Sequence, residues 1–72
     1  MDPLSPSAAA DDAWLREQLG ARYRGVRQFS AQGFEVRIDR VNGKGRWIYG
    51  TSAEFVVAKA RTIVEQLRRN AK

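Results

Sequence analysis

The sequence YRGVRQFSAQGFEVRIDRVNGKGRWIYGT, residues 23–51, decides the fold. Within it, three short segments alternate apolar with charged or polar residues, which is typical of strands with one buried face and one wet face. The segments are Tyr23–Phe29, Phe34–Val41 and Arg46–Gly50. Because their connections are short, they predict a three-stranded antiparallel meander.

The connections carry turn residues. Ser30 to Gly33 joins the first two strands, and Asn42-Gly43 is a strong hairpin signal that Lys44-Gly45 extends into a loop. Gly25, inside the first strand, indicates a bulge or a close backbone approach.

A long helix follows the strands. Thr51 to Glu54 reads as a capping box, and Ser52 is the alternative cap one residue later. We expect the helix to run to about Asn70, since no glycine or proline interrupts it. Its apolar residues fall at helical spacing on one stripe: Ala53, Val56, Val57, Ala60, Ile63, Val64 and Leu67.

One helix covers only one face of such a sheet. We expect the inner face to carry Val26, Phe34, Val36, Ile38, Trp47 and Tyr49. The opposite face would then present Arg24, Arg27, Arg37 and Arg46, with Glu35 and Asp39 among them. An uncovered sheet face that bears arginine is typical of a binding surface.

The segment before the strands is acidic. Residues 1–10 contain both prolines and little to bury, and they predict a disordered tail. Residues 11–20 predict a short acidic helix, capped by Asp11 or Asp12 and ended by Gly20, with Trp14 docked on the core. Residues 21–72 then form the sheet-and-helix domain. Met1 and the short tail are typical of a complete small protein.

The predicted fold class is therefore α+β, with a three-stranded antiparallel sheet packed against one long C-terminal helix and a short N-terminal helix. With 72 residues, the chain is long enough for one small domain. It contains no cysteine and no histidine, which excludes disulfides, Cys/His zinc sites, cysteine nucleophiles and histidine acid–base catalysis. With no apolar signal core and no membrane-length apolar run, we expect an intracellular protein, nuclear, cytoplasmic or in a nucleoid.

The charge is divided unevenly along the chain. Residues 1–20 carry a net charge of −3, whereas residues 21–72 carry +8. Ten of the thirteen cationic residues are arginine, which suits bidentate contact with phosphate, guanine or carboxylate. A basic domain of this kind favours nucleic acid or an acidic protein surface as the partner.

These residues also resemble a known family. Tyr23-Arg24-Gly25-Val26-Arg27-Gln28 resembles the opening of the ethylene-response-factor type, or GCC-box-binding, DNA-binding domain of plant transcription factors. The resemblance continues through Phe34 and Ile38 to Arg46-Trp47-Ile48-Tyr49-Gly50-Thr51 and the Ser52-Ala53-Glu54 helix start. Integrase arm-binding and methyl-CpG-binding domains are similar in architecture.

The resemblance implies that the sheet lies in the major groove, and that Arg24, Arg27 and Arg46 contact DNA. The chain departs from the family where Phe29 replaces an arginine, Ala31 and Ile48 replace contacting tryptophans, Arg37 replaces an acidic residue and Asp39 replaces an arginine. The GCC-box preference is therefore not carried over.

Two functions remain open from the sequence. The first is a non-enzymatic module for double-stranded DNA, with the main contacts from Arg24, Arg27, Arg37 and Arg46 and backbone contacts from Arg40 and Lys44. The alternative is a protein-binding regulator that docks on an acidic surface, such as a component of the transcription machinery.

Other partners are not expected. A sheet covered by one helix predicts no enzymatic cavity, no small-molecule substrate, no cofactor and no metal, and Glu35 and Asp39 should be ion-paired. We expect no membrane partner, since the core requires the helix stripe. A further hypothesis is that Asp11, Asp12 and Glu17 fold against the basic face and compete with its ligand.

Overall fold

The computed structural model describes residues 5–41 and 44–70, without the side chains of Arg40, Val41 and Lys44. It shows the expected α+β fold. The elements in chain order are helix α1 (Pro6–Leu19), a single 3₁₀ turn (Gly20–Arg22), strands β1 (Tyr23–Ser30), β2 (Gly33–Val41) and β3 (Lys44–Gly50), and helix α2 (Ala53–Asn70). None of the helices in the described ranges is long and apolar enough to cross a membrane.

The three strands form one antiparallel sheet in the order β1-β2-β3, with β2 in the centre. The β1–β2 register shifts twice, once between Tyr23 and Val26 and once between Gln28 and Ser30. Each shift places one additional β1 residue opposite β2, which is the geometry of a β-bulge. Gly25 lies in the first bulge with φ of 84°, so the sequence-based expectation of a bulge there is confirmed.

A third irregularity, in β2, decides which way β3 faces. Val41 pairs with Lys44, and a regular ladder from that pair would bring Ile38 opposite Trp47. The register instead shifts between Ile38 and Val41, so that Ile38 pairs with Arg46 and Arg37 pairs with Trp47. A register shift of one residue moves every side chain beyond it to the other face of the sheet. This shift therefore reverses the faces that the side chains of β3 occupy from Arg46 onward.

The sequence-based assignment of β3 was therefore wrong. Ile48 pairs with Val36 and is buried, whereas Trp47 and Tyr49 remain about half exposed on the opposite face. The strand also begins at Lys44 rather than Arg46. The predicted Asn42-Gly43 hairpin residues lie outside the described ranges.

The core lies between the inner face of the sheet and the two helices. Val36 and Ile38 of β2 and Ile48 of β3 are the inner residues, and Val26 and Phe34 pack against them as predicted. The helix stripe was also predicted correctly: Val56, Val57, Ala60 and Val64 are buried, with Ile63 and Leu67 beside them. Ser52 caps α2, since its Oγ accepts a hydrogen bond from the Phe55 amide at 3.1 Å.

Helix α1 begins earlier than the sequence predicted. Ser5, not Asp11 or Asp12, is its cap, and the Ser5 Oγ accepts from the Ala8 amide at 3.2 Å. Pro6 occupies the first turn, where its missing amide hydrogen costs nothing. Residues 6–10, which we expected in a disordered tail, are therefore helical, and residues 1–4 lie outside the description. Gly20 ends the helix as expected.

Candidate nucleic-acid interface

The side of the sheet away from α2 is its uncovered side, and we call it the outer face. Strand alternation and the register place on it Arg24, Arg27 and Phe29 of β1, Glu35, Arg37 and Asp39 of β2, and Trp47 and Tyr49 of β3. Directly paired residues share a face, so Arg27 stands beside Glu35, and Arg37 stands beside Trp47.

Carboxylates hold the arginines of the outer face in a network. Arg27 Nε lies 3.0 Å from Glu35 Oε2. Asp39 serves two arginines: its Oδ1 accepts from Arg37 Nε at 2.9 Å, and its Oδ2 lies 3.6 Å from Arg24 Nη1. The prediction that Glu35 and Asp39 are ion-paired is confirmed. These described side chains give the outer face a net charge of +1.

Trp47 supports one of these arginines. The Arg37 guanidinium carbon lies 5.0 Å from the centroid of the Trp47 ring, within the range of a cation–π contact. Together with Arg24, Gly25, Arg27 and Glu35, the two residues line a shallow depression of about 190 Å³. The depression is therefore bounded by three guanidinium groups and one indole ring.

The other end of the outer face is aromatic. Phe29 and Tyr49 meet edge to face, with 5.8 Å between ring centroids and an interplanar angle of 88°. Gly33 makes room for them, because a Cβ at that position would lie 2.6 Å from Phe29 Cζ. Phe29, Trp47 and Tyr49 are each about half exposed. The outer face thus has an arginine half, in which Trp47 lies beside Arg37, and an aromatic half formed by Phe29 and Tyr49.

The structure brings together three of the six predicted site residues. Arg24, Arg27 and Arg37 lie on the outer face, as expected. Arg46 does not, because it pairs with Ile38 and so points to the inner side of the sheet, where it remains exposed at the edge. Arg40 and Lys44 belong to β2 and β3, but their side chains lie outside the description.

Sequence reasoning missed Trp47 and Tyr49 as outer-face residues. The signal that could have found them is the β-branched Ile48 between them, which favours a buried position opposite Val36. The sequence-based prediction instead placed Trp47 and Tyr49 on the inner face, because large aromatic side chains are usually buried.

Asp11 and Asp12 of α1 pair with residues that do not belong to the outer face. Asp11 Oδ1 lies 3.2 Å from Arg61 Nη1 on α2, and Asp12 Oδ2 accepts from Arg16 Nε at 2.9 Å. Trp14 packs against the core with the Arg61 guanidinium 4.7 Å from its ring centroid. Asp11, Asp12 and Trp14 thus dock α1 on the body of the domain, which contradicts the hypothesis that these two carboxylates compete at the basic face.

A buried tyrosine joins α1 to the sheet. The Tyr23 hydroxyl donates to Asp12 Oδ1 at 2.6 Å, and the Arg16 guanidinium lies 5.3 Å from its ring centroid. Burial, and then the hydrogen bond to Asp12, raise the pKa of Tyr23 well above its usual range. Tyr23 pairs with Ile38 on the inner side of the sheet, two residues before the bulge at Gly25.

No group of three acidic side chains in the part of the chain that the structure describes is placed to hold a metal ion. No protein-family model matches the chain, and neither the curated proteins nor the solved structures contain a match. The resemblance to the ethylene-response-factor type domain stays a prediction from the residues.

Proposed function

We propose that this chain is a non-enzymatic DNA-binding module that places its outer face in the major groove of duplex DNA. The observation that carries the proposal is the grouping of Arg24, Arg27 and Arg37 on a sheet face that neither helix covers. Arginine is the residue that most often reads base edges and that also pairs with phosphates.

The width of the sheet matches the width of the major groove. Neighbouring strands lie about 4.8 Å apart, so the backbones of three strands span about 10 Å. The major groove is about 12 Å wide and admits a strand ribbon. The central strand β2 would lie along the middle of the groove, with Arg27 and Trp47 toward opposite walls.

Electrostatics supports a moderate affinity. The outer face has a net charge of only +1 among its described side chains, because Glu35 and Asp39 offset two arginines. Residues 21–72 as a whole carry +8, which favours approach to a polyanion. If about four to six phosphates are neutralised, the slope of log affinity against log salt should be about −4 to −5.

The test is a titration of a labelled duplex with the wild type, Arg27→Ala and the control Arg68→Ala at two salt concentrations. Arg68 lies in the last turn of α2, away from the outer face, so the control removes the same charge elsewhere. We expect Arg27→Ala to weaken binding more than Arg68→Ala does. Absence of salt-dependent binding by the wild type at low micromolar protein would refute the proposal.

The three aromatic residues of the outer face favour a second candidate. Phe29, Trp47 and Tyr49 are exposed by 49%, 49% and 56%, and aromatic residues together with arginine are enriched in protein interfaces. The candidate is a regulator that binds an acidic protein surface, such as a component of the transcription machinery. A pull-down with the wild type should then recover a stoichiometric protein partner after nuclease treatment, and a pull-down with Arg37→Glu should not. Unchanged recovery with Arg37→Glu would exclude this candidate.

A further inference from the structure

Arg37 is held from two directions. Its Nε donates to Asp39 Oδ1 at 2.9 Å, and its guanidinium group lies 5.0 Å from the centroid of the Trp47 ring. The side chain nevertheless remains 47% exposed. It belongs to the central strand, so it stands near the middle of the outer face.

The contacts with Asp39 and Trp47 leave the edge of the guanidinium group that carries its two terminal amino groups open to a ligand. A guanidinium carries five N–H donors, of which the Nε–H is used by Asp39. Among the described residues, no hydrogen bond or ion pair engages the two terminal amino groups, and they form a planar fork. This fork matches two acceptors side by side, which guanine presents in the major groove as O6 and N7. Adenine presents one acceptor and one donor there, so the fork discriminates against it.

Arg37 is held more firmly than the neighbouring arginines. Arg24 reaches the other oxygen of Asp39 only at 3.6 Å. Arg27 has a carboxylate partner, Glu35, at 3.0 Å, and its side chain is 72% exposed. Arg37 combines a carboxylate hydrogen bond with an aromatic support. Holding a long side chain in its binding conformation beforehand reduces the entropy lost on binding.

We propose that Arg37 is the specificity-determining residue of the outer face and reads guanine, with Asp39 and Trp47 as its positioning residues. This inference rests on the proposed function, since it names the base that the DNA-binding face selects. Asp39 places a negative charge near the phosphates, which opposes binding in general. Its contribution is therefore selectivity, gained at the expense of overall affinity.

The two effects of Asp39 have opposite signs, and this separates positioning from simple charge. Asp39→Asn adds one positive charge to the face, so it should strengthen binding to DNA that lacks the guanine N7 acceptor. The same change weakens the hold on Arg37 and should reduce the preference for guanine. A role in charge balance alone would raise affinity for both kinds of DNA equally.

The probe is a duplex of two helical turns with alternating guanine and cytosine. Its comparator carries 7-deazaguanine at every guanine, which keeps the pairing and the phosphates but lacks the N7 acceptor. The proteins are the wild type, Arg37→Met, Asp39→Asn and the control Glu65→Gln. The control makes the same charge change as Asp39→Asn, in an ion pair of α2 with Arg61. Circular dichroism establishes that each variant is folded.

We expect the wild type and Glu65→Gln to prefer the guanine duplex by about tenfold, the size of one hydrogen bond to a charged group, since the comparator keeps the O6 acceptor. Arg37→Met has no N–H donor, and its lost charge affects both duplexes alike, so its preference should fall to about twofold or less. Asp39→Asn should lose most of the preference while binding the comparator at least as tightly as the wild type.

The outcomes separate the two proposals. Salt-dependent binding of both duplexes with equal affinity by the wild type overturns the guanine inference and leaves DNA binding in place. Absence of binding to either duplex overturns both. A preference that persists in Arg37→Met assigns the reading to another residue, and a preference that persists in Asp39→Asn overturns the positioning role of Asp39.

Discussion

Ile48 of β3 lies directly opposite Val36 of β2, and both side chains are buried beneath α2. This pair fixes β3 so that the neighbouring Trp47 and Tyr49 point away from the core. The relationship connects stability with function, because the same register that closes the core also supplies the aromatic side chains of the outer face.

The first prediction concerns this pair. Ile48→Val should lower the free energy of unfolding by about 1 kcal/mol and Ile48→Ala by about 3 kcal/mol, because each removes buried methyl groups. Trp47→Ala should lower it by less than Ile48→Ala, since the Trp47 side chain is half exposed. Urea denaturation of the three variants measures these differences. A greater loss in Trp47→Ala than in Ile48→Ala would contradict the register.

The second prediction compares two arginines that the sequence had grouped together. Arg37→Gln and Arg46→Gln remove the same charge, but only Arg37 lies on the outer face. We expect Arg37→Gln to weaken binding to a guanine-containing duplex by about tenfold. Arg46→Gln should have a much smaller effect, because Arg46 pairs with Ile38 and lies on the inner side of the sheet. Equal losses in parallel titrations would place Arg46 in the interface.

The third prediction concerns the link between Tyr23 and Asp12. Because the pKa of Tyr23 is raised, the folded state retains the hydroxyl proton at pH values where the unfolded chain loses it. Its contribution to stability is therefore complete below about pH 10, the unfolded pKa, and declines as the pH rises toward the folded pKa.

Tyr23→Phe lacks this hydroxyl and provides the comparison. At neutral pH it should be less stable by about 1–3 kcal/mol, because the Asp12 carboxylate loses a buried donor. Above about pH 10, its free energy of unfolding should fall less steeply than that of the wild type. Urea denaturation across this range provides the measurement, and parallel pH profiles would show that the Tyr23 proton is not linked to folding.

The fourth prediction concerns α1. Leu15 is fully buried in the core, whereas Glu17 is exposed. Leu15→Ala should lower the free energy of unfolding by about 3 kcal/mol, and Glu17→Ala should change it little. Thermal unfolding of both variants tests whether α1 is part of the cooperative domain. If Leu15→Ala unfolds at the wild-type temperature, α1 is a separate appendage.

Much of the fold was predictable because local patterns determine it. The alternation in β2 placed Val36 and Ile38 inside, and the spacing of α2 placed Val56, Val57 and Val64 against them. The start of α1 was also present in the sequence, since Ser5-Pro6 combines a cap with a favoured first-turn residue. The prolines and small residues led instead to the expectation of a tail.

The candidate site was less predictable because one irregularity in pairing determines it. Alternation alone divides β3 into Trp47 with Tyr49 and Arg46 with Ile48, but it does not say which set faces the helix. The additional residue of β2 between Ile38 and Val41 makes that choice. Three of the four arginines predicted on the outer face lie there, because they belong to β1 and β2. Arg46 belongs to β3 and lies on the inner side, because the register shift reverses the faces of that strand.

The two bulges of β1 have a consequence for self-association. As the first strand of the sheet, β1 leaves one row of backbone donors and acceptors without a neighbouring strand. A regular row of this kind invites pairing with a second copy and leads to aggregation. The bulges near Gly25 and Phe29 break its spacing, so an incoming strand finds no continuous ladder. The domain therefore keeps a broad face open for a ligand while one of its edges resists the growth of the sheet.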